Sequence, residues 1–281
     1  MSSLSYLIVG SGVFGASTAL ALIRKYPDSS ITLIDRDAYD APIRVAASWD
    51  WNKVVRADYR DIVYTKLALE AQHLWRTDHI WKPFYHESGV VWISSTSFAE
   101  QVQKNFAELG VKADLHTYPV EQARVLFEKL FADADYTSVN DVLVNKTSGW
   151  AEAKEALQST IKAAVALGVK YITAEVTAIK FDETRPRRRC WGIETAEGET
   201  IVADRIVLCT GAFTPKLLVD SAPECTDIHA GERIIAAGVT EAIAPLSIEK
   251  SPILDTMAVG INDNPTERGI NGPSCTFVLI Y

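Results

Sequence analysis

The four cysteines, Cys190, Cys209, Cys225 and Cys275, include no CxxC pair and show no zinc-type spacing. That excludes a disulfide framework or a zinc site as the organising element and fits a reducing compartment. Cys209, set in an apolar run, reads as a small buried hydrophobe. No basic segment opens the chain, so a secretory leader is not expected and the expected location is cytoplasmic. Positive charge is not in excess: the formal net charge is −8 and the isoelectric point about 5.2. Neither nucleic acid nor an anionic membrane is therefore an expected partner. The one basic run, Arg185-Pro-Arg187-Arg-Arg189, reads as a solvated hairpin loop. No apolar run is both long and free of breakers. Leu7 to Ile23 comes nearest, but three glycines and a strand-to-helix pattern interrupt it, which argues against a membrane span. Neither internal repeats nor a metal-ligand cluster can be seen. Asn145-Lys-Thr147 is a formal glycosylation sequon and reads as a chance match.

Apolar residues make up 48% of the 281 positions, enough for one large or two smaller domains. The chain is organised around Tyr6-Leu-Ile-Val-Gly10-Ser-Gly12-Val13-Phe14-Gly15. Leu7 to Val9 reads as a buried strand, Ala16 to Ile23 as a helix, and Ile31 to Ile34 as a second strand ending in Asp35. Gly10 permits the tight turn, Gly12 lets the backbone approach a pyrophosphate, and Gly15 lets helix and strand pack closely. The N–H groups around Val13 and Phe14 open a helix whose positive dipole end suits phosphate. Asp35, twenty residues beyond Gly15, can accept a hydrogen bond from a ribose 2′-hydroxyl. The competing reading is a glycine-rich turn with no ligand. The motif alone does not separate NAD from FAD.

Residues 36–60 read as irregular, followed by a helix over Arg60–Arg76 with apolar positions at Ile62, Val63, Leu67, Leu74 and Trp75. Tyr85 to Gly89 turns into a strand, Val90 to Ile93. Helices are predicted over Ser97–Leu109, closed by Gly110, over Val120–Phe131, and over Ala151–Leu167, closed by Gly168. Val169–Ile172, Glu175–Phe181, Cys190–Thr195 and Thr200–Val202 read as an antiparallel meander. Ala203 to Ala212 closes as a buried strand ending in Thr210-Gly211-Ala212. Such a turn beside the first glycine turn brings a second backbone to the dinucleotide and, with the meander, points to FAD. The alternative is an ordinary strand-to-loop glycine.

On these stretches, together with Ala47-Ser48-Trp-Asp50-Trp-Asn-Lys53-Val-Val-Arg56-Ala-Asp-Tyr59, Tyr85-His86-Glu-Ser88-Gly89 and Gly149-Trp150, the chain resembles the FAD-dependent amine oxidoreductases of the D-amino-acid oxidase superfamily. Within them it is similar to the fungal fructosyl amino acid oxidases, to saccharopine-type oxidases and to monomeric sarcosine oxidase. Ala236–Ile243 and Arg268–Gly272 look familial too. The resemblance implies an α/β fold: a Rossmann-like FAD-binding domain (parallel sheet plus β-meander) with an interleaved α+β substrate domain, incomplete at the C-terminus. The implied boundaries are 1–84 and 146–235 for the FAD-binding parts, 85–145 and 236–281 for the substrate parts.

The implied chemistry is oxidation of a secondary amine of an amino acid to an imine, with O2 reduced to H2O2. A small-molecule amine and O2 are the implied partners, and a monomer the implied state. Lys53 and Arg56 match the family's basic pair beside the isoalloxazine, where a cation stabilises reduced flavin and nascent superoxide charge. Arg56 can also fork onto a substrate carboxylate. The competing reading of both is a surface ion pair with Asp50 and Asp58. Ser48 is placed on the phosphate or ribitol side, and Arg36 and Val176 complete the implied cofactor set. His86 is a pocket candidate, although a lone histidine is more often structural. Trp49, Trp51 and Trp92 read as packing residues.

Relatives are longer. The sequence after Gly272 reads as a curtailed substrate domain without the family's return segment, flavinylation context or peroxisomal tripeptide, and Phe277 to Ile280 reads as an exposed apolar strand. Two further readings stand beside the oxidase: an inactive flavin-binding fragment, and an NAD(P)-dependent dehydrogenase.

Overall fold

The computed structural model of the chain describes residues 4–182, 189–236, 257–262 and 276–278. In chain order the elements are β1 (Ser5–Val9), α1 (Val13–Lys25), β2 (Ser30–Asp35), β3 (Asn52–Val55), α2 (Ile62–Thr77), β4 (Tyr85–His86), β5 (Val90–Ile93) and α3 (Phe98–Glu108). There follow β6 (Leu115–Pro119), α4 (Val120–Ala123), β7 (Asp141–Asn145), β8 (Gly149–Glu152), α5 (Ala153–Ala166), β9 (Lys170–Thr173) and β10 (Val176–Asp182). The last are β11 (Arg189–Thr195), β12 (Thr200–Val202), β13 (Arg205–Leu208), α6 (Thr214–Ser221), β14 (Val259–Asn262) and β15 (Thr276–Val278).

The chain divides into two compact units, Met1–Trp51 with Ala153–Glu241, and Asn52–Glu152 with Ala242–Tyr281. The predicted boundaries at 84 and 145 both fall inside the second unit. The reason is pairing: β3 and β4 flank β8 in one antiparallel sheet, which binds residues 52–86 to 149–152.

In the first unit four strands lie parallel in the order β13-β1-β2-β9. Leu7, Ile8, Leu33 and Ile34 are wholly buried, as expected of parallel strands covered on both faces. Helices α1 and α5 pack together through small residues such as Ala16, Ala19 and Ala164. The meander is real but has three strands, β10-β11-β12. The predicted first meander strand, 169–172, belongs instead to the parallel sheet, because α5 returns the chain so that β9 runs alongside β2. Leu7, Val9, Ile34 and Ile193 join sheet and meander in one core.

The second unit holds a five-stranded mixed sheet, β15-β14-β5-β7-β6, beside the three-stranded β3-β8-β4. Its strands alternate. Val90, Trp92 and Leu143 pack with Phe98, Val102 and Phe106 of α3, while Val91, Ile93, Val142 and Val144 face Phe131 and Tyr136. The apolar end of the chain pairs here, with Phe277 opposite Ile261, so β15 is laid against β14 rather than left alone.

Further elements differ from expectation. Strand β3 lies inside the stretch read as irregular, β6 and β7 have no counterpart in the sequence reading, and β8 takes the first two residues of the helix expected from Ala151. The helix predicted over Val120–Phe131 stops at Ala123. Phe127, Glu128 and Lys129 then take φ values of 49°, 55° and 66°. The turn folds Leu126, Phe127, Leu130 and Phe131 onto the sheet, which a straight helix would have spread around its circumference. In α2 the expected burial is inverted. Asp61 caps it by accepting from the Val63 N–H at 2.8 Å, but the buried residues are Thr65 and Gln72. Val63, Tyr64, Leu67 and Leu74 stay exposed. Hydrogen bonds hold the polar face: Asn105 Nδ2 donates to the Tyr59 carbonyl at 2.8 Å and sits 3.4 Å from Thr65 Oγ1. Gln72 donates to the Thr147 carbonyl and Ser148 Oγ, both at 3.3 Å. The basic run at 185–188, Cys275, and the familial-looking stretches 237–243 and 268–272 lie outside the described residues.

Candidate functional site

The glycine turn joins β1 to α1 in the first unit. Gly10 sits at φ +95°, and a Cβ there would lie 2.5 Å from the Cys209 carbonyl oxygen. A Cβ on Gly15 would lie 1.8 Å from the Gly10 carbonyl oxygen. These two glycines are therefore demanded by the fold itself. Gly12 is different, since a Cβ there would meet only Ser48 Oγ, at 3.3 Å. The first turn of α1 carries no acidic residue and no side-chain cap from Gly12, and Arg24 and Lys25 occupy its last turn. Val13 and Phe14 are 52% and 77% exposed. The start of the helix is thus open, with its dipole uncompensated by a carboxylate, as an anion site requires. Ser48 lies across it and accepts from the Val13 N–H at 3.1 Å.

Asp35, at the end of β2, is tied closely to the turn. Its Oδ2 accepts from the Ser11 N–H at 2.6 Å and from Ser11 Oγ at 3.1 Å. Its Oδ1 accepts from the Asp37 N–H at 3.1 Å. Arg44 Nη2 lies 3.3 Å from Oδ2 and also donates to Ser11 Oγ. Tyr171 of β9 closes the cluster: its hydroxyl donates to the Asp37 carbonyl at 2.6 Å and lies 3.0 Å from Ser11 Oγ. Burial, chiefly, pushes the Tyr171 phenol up to about 12, so it stays a hydroxyl at neutral pH. Arg36 lies 3.8 Å from Asp37 and over the Phe213 ring at 4.8 Å, in the turn that begins at Gly211.

The Thr210 turn stands directly against the glycine turn, with Thr210 N 3.2 Å from the Cβ position of Gly10. Thr210 and Thr214 hydroxyls lie 2.8 Å apart, and Gly211 takes φ +53°. Val176 opens β10 beside a bulge and packs against the Leu7–Ile193 core. Cys209 is half-buried rather than buried, with its thiol pushed up by desolvation.

The second unit contains Lys53 and Arg56. They line one groove of about 650 Å³ with Tyr59, Tyr64, Leu67 and Trp75, so the apolar face of α2 forms its wall. The groove thus sets an exposed apolar surface beside two cations. The Arg56 guanidinium is stacked between Tyr59, at 4.1 Å, and Trp92, at 4.7 Å, and Nη1 donates to the Asp58 carbonyl oxygen.

The Asp58 carboxylate is wholly buried. Oδ1 accepts from Asn145 Nδ2 at 2.6 Å, and Oδ2 from Trp92 Nε1 at 3.2 Å. Desolvation raises its pKa, opposed by the Asn145 and Trp92 hydrogen bonds and by the Arg56 charge. Asn145, the sequon asparagine, is itself buried and spends its amide on Asp58, so it offers nothing to a glycosyl donor. His86 stacks on Trp150 at 4.0 Å, and its Nε2 lies 2.8 Å from Glu152. Because His86 pairs with Trp150 and Lys53 with the adjacent Ala151, the two point to opposite faces of the small sheet. Trp92 is a packing residue, as expected, whereas Trp51 is 56% exposed. Trp49 carries Arg44 and Lys154, each 5.2 Å from its ring.

Sequence reasoning missed Arg44, Ser11 and Tyr171 in one unit and Asp58 with Asn145 in the other. Hydropathy misleads at Arg44: Ile43 and Val45 beside it are 79% and 64% exposed, and the arginine is buried. Among the described residues no group of three or more His, Cys, Asp or Glu side chains is placed to hold a metal ion. Nor is any helix among them long and apolar enough to cross a membrane.

Comparison with known proteins converges on one family. The FAD-dependent oxidoreductase family (DAO) matches residues 5–252. L-saccharopine oxidase of Schizosaccharomyces pombe is 31% identical over 236 residues, covering 79% of this chain and 54% of that protein. Amino acid oxidase imqH of Aspergillus flavus is 27% identical, covering 84% of this chain and 57% of that protein. Among solved structures, a thermally stable fructosyl peptide oxidase mutant superposes with a TM-score of 0.69 at 23% identity, over 93% of this chain and 60% of its own. Amadoriase II of Aspergillus fumigatus gives 0.68 at 24%, over 92% and 58%. The likeness to these structures is one of fold. The chain spans about half the length of the curated relatives it matches.

Proposed function

The chain belongs to the FAD-dependent oxidoreductase family, and on that premise we propose that it binds FAD and serves oxidation of the C–N bond of a secondary amine of an amino acid. The observation that carries the reading is the open, acid-free start of α1 behind the Gly10–Gly15 turn, with Asp35 beside it. The residues fit the cofactor. Gly12 leaves room for a phosphate against the backbone at the start of α1, beside Ser48, whose Oγ accepts from the Val13 N–H. Asp35 takes the adenosine ribose, with Ser48, Thr210 and Gly211 around the same turns and Arg36 and Val176 at its margin. FAD, when bound, would supply the acceptor for the amine's two electrons, with O2 as their final acceptor and H2O2 as the product. Lys53 and Arg56 provide positive charge for that chemistry, and Arg56 is the group in this set able to orient a substrate carboxylate.

By their names, the matched relatives act on L-saccharopine and on fructosyl peptides, which supports this substrate class. Hydrolysis of the imine by water then releases a carbonyl compound and the shortened amine. A monomer acting in the cytoplasm on a small amine and O2 completes the proposal. The test is H2O2 production by the FAD-loaded chain with saccharopine, pipecolate, sarcosine and fructosyl-valine in turn. Peroxide from any one of them supports an amine oxidase. Saturable FAD binding with no peroxide from any assigns the chain a flavin-binding role without turnover.

A further inference from the structure

Arg44 lies in the loop between β2 and β3, and the dinucleotide motif gives it no part. Its side chain is 1% exposed. Nη2 reaches both Ser11 Oγ and Asp35 Oδ2, and the guanidinium lies 5.2 Å from the Trp49 ring. Nε and Nη1 are buried with no hydrogen-bond partner among the described residues. A buried cation with two idle donor nitrogens costs stability. Packing would select the reverse arrangement, with exposed Ile43 and Val45 turned inward and Arg44 outward. A group retained against stability calls for another reason.

The geometry around Asp35 supplies one. Two hydrogen bonds fill Oδ2, from the Ser11 N–H at 2.6 Å and Ser11 Oγ at 3.1 Å, and the Arg44 Nη2 cation lies 3.3 Å from the same oxygen while donating to Ser11 Oγ. Oδ1 receives only the Asp37 N–H, at 3.1 Å. A carboxylate oxygen accepts two hydrogen bonds, so Oδ1 keeps one acceptor site. We propose that Arg44 is the positioning residue of the adenosine end: by holding Oδ2 it fixes the Asp35 carboxylate so that Oδ1 alone is presented to the ribose 2′-hydroxyl. With its side chain 1% exposed, Arg44 acts through Asp35. The inference rests on the reading of this turn as a dinucleotide site.

The test compares ADP with 2′-deoxy-ADP by isothermal titration calorimetry on the full chain. The wild type should prefer ADP at least about tenfold, the value of a hydrogen bond to a charged acceptor. In Arg44→Met and Arg44→Gln that preference should fall to within about twofold of unity, while Arg44→Lys, which keeps the charge, stays within about threefold of the wild type. A structural role alone would weaken both nucleotides together and leave their ratio intact. A folded Met or Gln variant that keeps the wild-type ratio overturns the proposal, and so does a Lys variant that loses it. The dinucleotide reading fails separately, if the wild type binds neither nucleotide.

Discussion

Gly12→Ala separates the fold from the ligand. Gly12 has φ −67° and ψ −173°, extended backbone that alanine adopts without strain. The added Cβ meets only Ser48 Oγ at 3.3 Å, a hydroxyl that can move by a few tenths of an ångström. Lower chain entropy in the unfolded state stabilises by about 0.4–1 kcal/mol. A poorer N-cap costs about 0.5–1 kcal/mol. The terms nearly cancel, so the melting temperature of the ligand-free chain should move by no more than about 2–4 °C. Cofactor affinity should not survive so well. The Cβ stands at the open start of α1, where the proposed pyrophosphate meets the backbone. Losing even one hydrogen bond to a charged oxygen costs about 1.5–3 kcal/mol, or roughly tenfold or more in Kd. The assay is a FAD titration followed by flavin fluorescence, with a thermal melt of the same preparation. A Gly12→Ala protein that melts normally and binds FAD like the wild type refutes the close-approach argument.

Gly15→Ala should fail differently, because its Cβ would lie 1.8 Å from a backbone oxygen; the cost is at least about 1–3 kcal/mol, read as a lower melting temperature without ligand. Asp58 gives a pH signature. Burial raises its folded pKa above the unfolded value, so stability falls as pH climbs from the ordinary carboxylate range through the folded pKa. The melting-temperature advantage of wild type over Asp58→Asn should shrink over that rise, and an advantage that grows contradicts the sign. Arg56→Met removes the cation stacked on Tyr59 and Trp92. It should lower kcat/KM for peroxide production by about a hundredfold, and unchanged turnover would remove Arg56 from the chemistry.

The first unit was largely legible because its determinants are local. The glycine spacing, two apolar strands and the acid at Asp35 lie within thirty residues and obey simple periodicities. The position of the Thr210 turn was legible too: the strand that ends in Thr-Gly pairs with β1 and sets its turn against Gly10, as expected. Long-range pairing was not. Nothing in Val169–Ile172 distinguishes a meander strand from a parallel partner of β2; the packing of α5 decides it. The exposed face of α2 was hidden for a related reason. Its periodicity is that of a buried helix, but Thr65 and Gln72 find buried polar partners only when Asn105, Thr147 and Ser148 arrive from elsewhere in the chain. Arg44 and Asp58 are the sharpest cases. Both are ionisable groups taken out of water, a choice that residue type argues against and that only the assembled site explains.

The central claim is that the Gly10–Gly15 turn, the start of α1 and Asp35 hold the ADP half of FAD. A FAD titration of the purified chain, monitored by flavin fluorescence and by melting temperature, with an NADH titration beside it, tests this most directly. The expected result is saturable one-to-one FAD binding, competition by ADP, a rise in melting temperature with FAD and no NADH binding. A chain that binds no FAD at saturating concentrations, or that takes NADH in its place, contradicts it.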